Sequence, residues 1–118
     1  MRVKRSVHAR KKRREVLERT KGYRGEANHN YMRAKEALIK AETYAYRDRR
    51  NRKRDFRRLW ITRINAAAKM NGMSYSQFMH GLKLAGVELD RKVLADIAVR
   101  DPETFRRFVD RAREASAA

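Results

Sequence analysis

The chain of 118 residues contains no cysteine. That absence excludes a disulfide framework, a thiolate metal site and a thiol nucleophile, and it fits a reducing compartment. There are only one proline and five glycines, so few positions force a helix to stop. No apolar run exceeds about three residues, far short of the roughly 20 needed to span a bilayer. The basic N-terminus is followed by no apolar stretch of the kind a secretory leader carries, so a soluble, intracellular protein is expected. Negative charge is scarce as well. Against 32 Lys plus Arg there are 14 Asp plus Glu, a formal net charge of +18. Like charges repel, so a small domain gains no stability from such an excess. A polyanionic partner is its ordinary explanation, with nucleic acid ahead of an anionic membrane surface.

The excess is concentrated in one half. Residues 1–58 hold 22 basic and 7 acidic side chains, a net of +15, whereas residues 59–118 hold 10 and 7, a net of +3. Two regions are expected on this division: a basic extension over 1–58 and a small globular helical domain over 59–118. The first 14 residues carry eight basic side chains and no acidic one, so residues 1–14 are expected to be unstructured in isolation. Good helix formers predict a short helix from Ala9 to Lys21, and Gly22 and Gly25 predict a turn after it. Between Glu26 and Asn71 there is neither glycine nor proline, and Ala, Arg, Lys, Glu and Leu dominate. One long helix of roughly 70 Å is predicted there, at about 1.5 Å per residue. Ala34, Ala37, Leu38, Ala41 and Ala45 form a stripe of mostly small residues. The charge on this stretch predicts that its first two thirds are not buried against protein.

The character changes after Arg58. Leu59, Trp60, Ile61 and Ile64 begin an apolar face, and Gly72 suits the position that ends the long helix. Ser74 and Gln77 have the spacing of a capping box, with Met73 and Phe78 placed as a hydrophobic staple. Phe78, Leu82 and Ala85 give the inward face of that helix, which Gly86 ends. Asp90 opens the next helix, with Leu89 and Leu94 as a second staple and Leu94, Ile97 and Ala98 inward. Asp101 and Pro102 open the last, whose stripe is Phe105, Phe108, Val109 and Ala112. No strand pattern occurs, so the predicted class is all-α: an extended basic N-terminal arm and long helix leading into a small C-terminal helical domain.

Two basic runs are the candidate contacts. The arm supplies Arg2, Lys4, Arg5, Arg10, Lys11, Lys12, Arg13 and Arg14. The long helix supplies Arg47, Arg49, Arg50, Arg52, Lys53, Arg54, Arg57 and Arg58, which point in nearly every direction round the axis. A helix polar all round must bridge, be solvated, or be enclosed by a charged partner, and enclosure by nucleic acid is the reading adopted. Tyr23, Tyr31, Tyr44 and Tyr46 are interleaved with this charge. Exposed rings beside arginines can stack on unpaired bases, so Tyr23 and Tyr44 join the candidate set with Arg24 and Arg33. Trp60 is assigned to the core. Glu26 and His29 have a di-metal helix spacing but lack the second copy and the further inward carboxylates it requires. His8, His29 and His80 have no nucleophile near them in sequence, so neither enzyme nor cofactor is expected, and no small-molecule substrate. A zipper-type DNA binder would need three or four heptads after its basic segment, and the apolar pattern here ends at Gly72.

Several ordered blocks resemble protein L-twenty of the bacterial large ribosomal subunit. They include Tyr44-Ala45-Tyr46-Arg47-Asp48-Arg49-Arg50, Arg54-Asp55-Phe56-Arg57-Arg58-Leu59-Trp60-Ile61 and Arg63-Ile64-Asn65-Ala66-Ala67. Gly72-Met73-Ser74-Tyr75-Ser76 and Leu89-Asp90-Arg91-Lys92-Val93-Leu94-Ala95 extend the likeness, which runs from about Val3 to Phe108. The resemblance implies a basic extension threaded into large-subunit (23S) rRNA, with a C-terminal domain on the rRNA surface. It implies a role early in subunit assembly, neighbouring large-subunit ribosomal proteins as partners, a cytoplasmic ribosome as location and, in some members, repression through the protein's own mRNA. By the same carry-over Arg49, Arg50, Arg54, Arg57, Arg58, Arg63, Arg91 and Lys92 contact rRNA. Just after Gly25 this chain has Glu26, Ala27 and Asn28 where the family is usually more basic, and no phosphate contact is carried onto those three. The alternative from composition alone is an architectural double-stranded DNA-binding protein of the nucleoid type.

Overall fold

In a computed structural model the structure describes residues 6–118. In chain order it contains α1 (Ser6–Arg19), a 3₁₀ turn (Gly25–Asn28), α2 (Tyr31–Met70), α3 (Tyr75–Leu84), α4 (Arg91–Arg100) and α5 (Pro102–Ala117). No strand occurs among the described residues, and the class is all-α as expected. No helix among them is long and apolar enough to cross a membrane. Two compact units are present, one ending at Arg50 and the other comprising Asn51–Ala118, and the division falls within α2.

In the first unit α1 begins at Ser6 and ends at Arg19, not at Ala9 and Lys21. Residues 6–14, expected to be unstructured in isolation, are helical. Lys and Arg are good helix formers, and each like-charge pair a turn apart costs only about 0.2–0.5 kcal/mol. Gly22 then takes φ +88°, and Tyr23 N–H donates to the Thr20 carbonyl at 3.0 Å. The long helix also starts later than expected, at Tyr31 instead of Glu26. Asn30 explains the shift. Its side-chain oxygen accepts from Met32 N–H at 3.1 Å and its carbonyl accepts from Ala34 N–H at 2.7 Å, the two bonds of an N-cap.

The alanine stripe is more buried than charge alone predicted. Ala34 and Thr20 are fully buried, Ala37, Leu38 and Ala41 are half-buried, and Ala45 is exposed. Two side-chain contacts tie α1 to α2: Arg19 pairs with Glu42, and the Arg13 guanidinium lies 5.7 Å from the centre of the Tyr31 ring.

The second unit is built as the caps foretold. Met73 N–H donates to the Ala68 carbonyl at 2.9 Å and Gly72 N–H to that of Lys69 at 3.0 Å, which is the Schellman pattern. Gly86 and Val87 repeat it on Lys83 and Leu82. Ser74 and Gln77 exchange both capping-box bonds, and Asp90 accepts from Val93 N–H at 2.8 Å. Asp101 accepts from the Thr104 hydroxyl at 2.5 Å and from its amide at 3.2 Å. The hydroxyl first, then the amide, hold the Asp101 carboxyl below its ordinary value of 3.8. Inside, Phe78 lies 5.0 Å from Phe105, ring centre to ring centre, among Ile64, Leu82, Leu94 and Val109. Trp60 packs on this core from its edge. Leu59 does not belong to it, being 39% exposed. Five residues separate it from Ile64, which turns it about 140° away on a helix of 3.6 residues per turn. Ala95, outside the expected inward face of Leu94, Ile97 and Ala98, is buried together with Leu94.

Candidate nucleic-acid interface

Arg2, Lys4 and Arg5 lie outside the described residues. Arg10, Lys11, Lys12, Arg13 and Arg14 are consecutive on α1 and all exposed. At about 100° per residue, five in succession girdle the helix. Tyr23 is half-buried in the glycine turn, and Arg24 is exposed beside it. Arg33 is exposed on α2 and stands 3.7 Å from the Glu36 carboxylate.

The exposed tyrosines of α2 are held by cations from their own helix. The Arg47 guanidinium lies 4.6 Å from the Tyr44 ring centre, and the Lys40 ammonium 5.8 Å from it. Arg50 lies 4.7 Å from the Tyr46 ring centre. Such pairs contribute about 0.5–1 kcal/mol at exposed sites and fix ring orientation while leaving much of each ring in water. Lys40 and Tyr46 were absent from the candidate set. The spacings i+3 and i+4 would have found both.

Arg49 and Arg50, then Arg52, Lys53, Arg54, Arg57 and Arg58 in the second unit, are all exposed. Among the described residues none of these seven has a carboxylate within 4.0 Å. Asp48 pairs with Arg47 instead, at 3.1 Å. Seven neighbouring cations, none ion-paired and only Asp55 set among them, leave a strong positive potential along this part of α2.

On the second unit the fold brings together residues far apart in sequence. A groove of about 580 Å³ is lined by Trp60, Arg63, Asp90, Lys92, Val93, Ala95 and Asp96. It places Arg63 beside Lys92. Arg91 is half-buried, and its Nε donates to the Tyr75 hydroxyl at 2.7 Å, which fixes the guanidinium. No sequence signal announces a bond between residues 16 apart in different helices.

A family model described as Ribosomal protein L20 matches residues 2–108. The large ribosomal subunit protein bL20 of Roseiflexus sp. (strain RS-1) is 64% identical over 97% of this chain and 97% of its own length. Those of Rhodospirillum centenum and Thermotoga petrophila are 58% and 54% identical, over 99% of this chain and 98% and 99% of theirs. The chain belongs to the ribosomal protein L20 family. The match takes in both basic helices and the second unit as far as Phe108 in α5. The family is structural, and this member is not an enzyme.

Proposed function

We propose that this L20-family chain is a structural constituent of the large ribosomal subunit that binds its 23S rRNA and supports early assembly in the cytoplasm. The observation that carries the reading is the group of seven α2 cations, Arg49 to Arg58, none of which is ion-paired among the described residues and which outnumber the one carboxylate in their midst, Asp55. These cations and the α1 girdle neutralise phosphates, as do Arg2, Lys4 and Arg5 of the basic N-terminal run. Residues 1–58 form the RNA-binding extension and residues 59–118 the domain that fixes its register, since phosphate contacts position a protein without reading sequence. Tyr44 with its two cations adds a stacking surface. Arg63, Arg91 and Lys92 carry the contact onto the domain, and neighbouring large-subunit proteins border it. Repression of the chain's own mRNA belongs to the same reading through the family.

The physical benefit during assembly follows from charge. Folded RNA packs phosphate against phosphate, and a basic helix between two RNA segments removes the repulsion that separates them. The test is fractionation of cells expressing the tagged chain. It should travel with large subunits and withstand moderate salt, and excess duplex DNA should not displace it. A chain found only in the free pool contradicts the proposal.

A further inference from the structure

The groove beside Trp60 is more than another basic patch. Its floor is apolar, with Val93 41% exposed and Ala95 buried. The same lining holds two cations, Arg63 and Lys92, and two carboxylates, Asp90 and Asp96. Asp90 caps α4 and Asp96 pairs with Arg100, so the lining carries hydrogen-bond acceptors as well as cations. Each of these carboxylates has one oxygen engaged, with Val93 N–H at 2.8 Å for Asp90 and Arg100 Nε at 2.9 Å for Asp96. Each keeps a second oxygen as an acceptor. One turn before Trp60 stands Phe56, 47% exposed, its ring centre 6.2 Å from that of Trp60 and tilted by 32°. Phe56 has no polar atom to satisfy and lies among Arg54, Arg57 and Arg58. Aromatic surface, flanking cations and hydrogen-bond acceptors in one groove are the parts needed to hold a base out of its stack. The groove volume also falls within the range of about 300–1,000 Å³ common to small-ligand clefts.

We propose that this groove takes a single unpaired nucleotide of the bound RNA, its base stacked on Trp60 beside Phe56 and its phosphate held between Arg63 and Lys92. The carboxylates accept from an exocyclic amino group, as Asp and Glu do from cytosine N4. The proposal rests on the RNA-binding reading above and goes further by naming what the second unit recognises.

Trp60 is the chain's single tryptophan, so emission excited at the red edge, where tyrosine does not absorb, reports this groove alone. The full chain is titrated with a short RNA duplex carrying one bulged cytidine, and with the same duplex lacking the bulge. The bulged RNA should quench Trp60 saturably and bind about 5- to 150-fold more tightly, the range that stacking one base supplies. Phe56→Ala, an exposed change, should remove at least about fivefold of that gain and leave perfect-duplex affinity unchanged. Equal binding of both RNAs with Trp60 emission unaltered overturns the nucleotide site while leaving RNA binding intact. Absence of binding to either overturns the RNA reading as well.

Discussion

The tightest contact in the second unit gives a sharp test of how it is packed. Gly81 of α3 sits against Ala112 of α5. A Cβ added there would lie 2.5 Å from the Ala112 carbonyl oxygen and 2.7 Å from its Cβ. Ordinary non-bonded contact needs about 3.5 Å, so Gly81→Ala forces α3 off α5 by about 1 Å. Overpacking of this kind costs about 1–3 kcal/mol. The obstacle is backbone, which puts the cost at the upper end of that range, about 2–3 kcal/mol, and alanine returns up to about 1 kcal/mol of helix propensity, so the net loss is about 1–2 kcal/mol. In a unit of this size each kcal/mol lowers Tm by about 4–8 °C, so a fall of about 5–15 °C is expected. The assay is thermal unfolding of the full chain, followed by helical circular dichroism and by calorimetry. Adding Ala112→Gly should restore only part of the loss, because the nearest obstacle is a backbone oxygen that glycine keeps. A Gly81→Ala chain that melts at the parent temperature or above it would refute the packing argument, since propensity alone would then decide the outcome.

Three further outcomes follow from the caps and ion pairs. The Asp101 carboxyl is held below its ordinary 3.8 by Thr104, so its stabilising effect is present above that value and fades as pH falls through the lowered folded value. The Tm gap between parent and Asp101→Ala should therefore be steady from pH 7 to 5 and narrow below 3.8. Asp90→Ala removes the bond from Val93 N–H and should cost about 1 kcal/mol by denaturant unfolding. Glu42→Gln, which breaks a half-exposed pair with Arg19, should change stability by no more than about 1 kcal/mol, and by less as salt is added.

How much was legible in the sequence depended on how local the cause was. The caps at Ser74, Asp90 and Asp101 and the glycine stops at Gly72 and Gly86 rest on neighbours within a few residues, and all were readable. The start of α2 was misplaced because Glu26–Asn28 looks helical by composition, whereas Asn30 offers the backbone a competing partner. The burial of Ala34 could not be read, because it depends on the direction the chain takes through the glycine turn, which no pattern encodes. Leu59 was assigned inward from its apolar neighbours, although helical phase turns it to solvent. For the interface, the basic runs were evident from charge alone. The groove joining Trp60 and Arg63 of α2 to Lys92 of α4 and the Tyr75–Arg91 bond were not, since each is created by packing between helices.

The central claim is that α1 and the exposed cations of α2 bind RNA by neutralising phosphates. Its most direct test is the salt dependence of Kd for the full chain on large-subunit rRNA. If six to ten phosphates are met, log K should fall against log salt with a slope of about −5 to −9. Arg57→Ala with Arg58→Ala should make that slope shallower by about two. A slope no steeper than about −2, unmoved by those substitutions, would contradict the account.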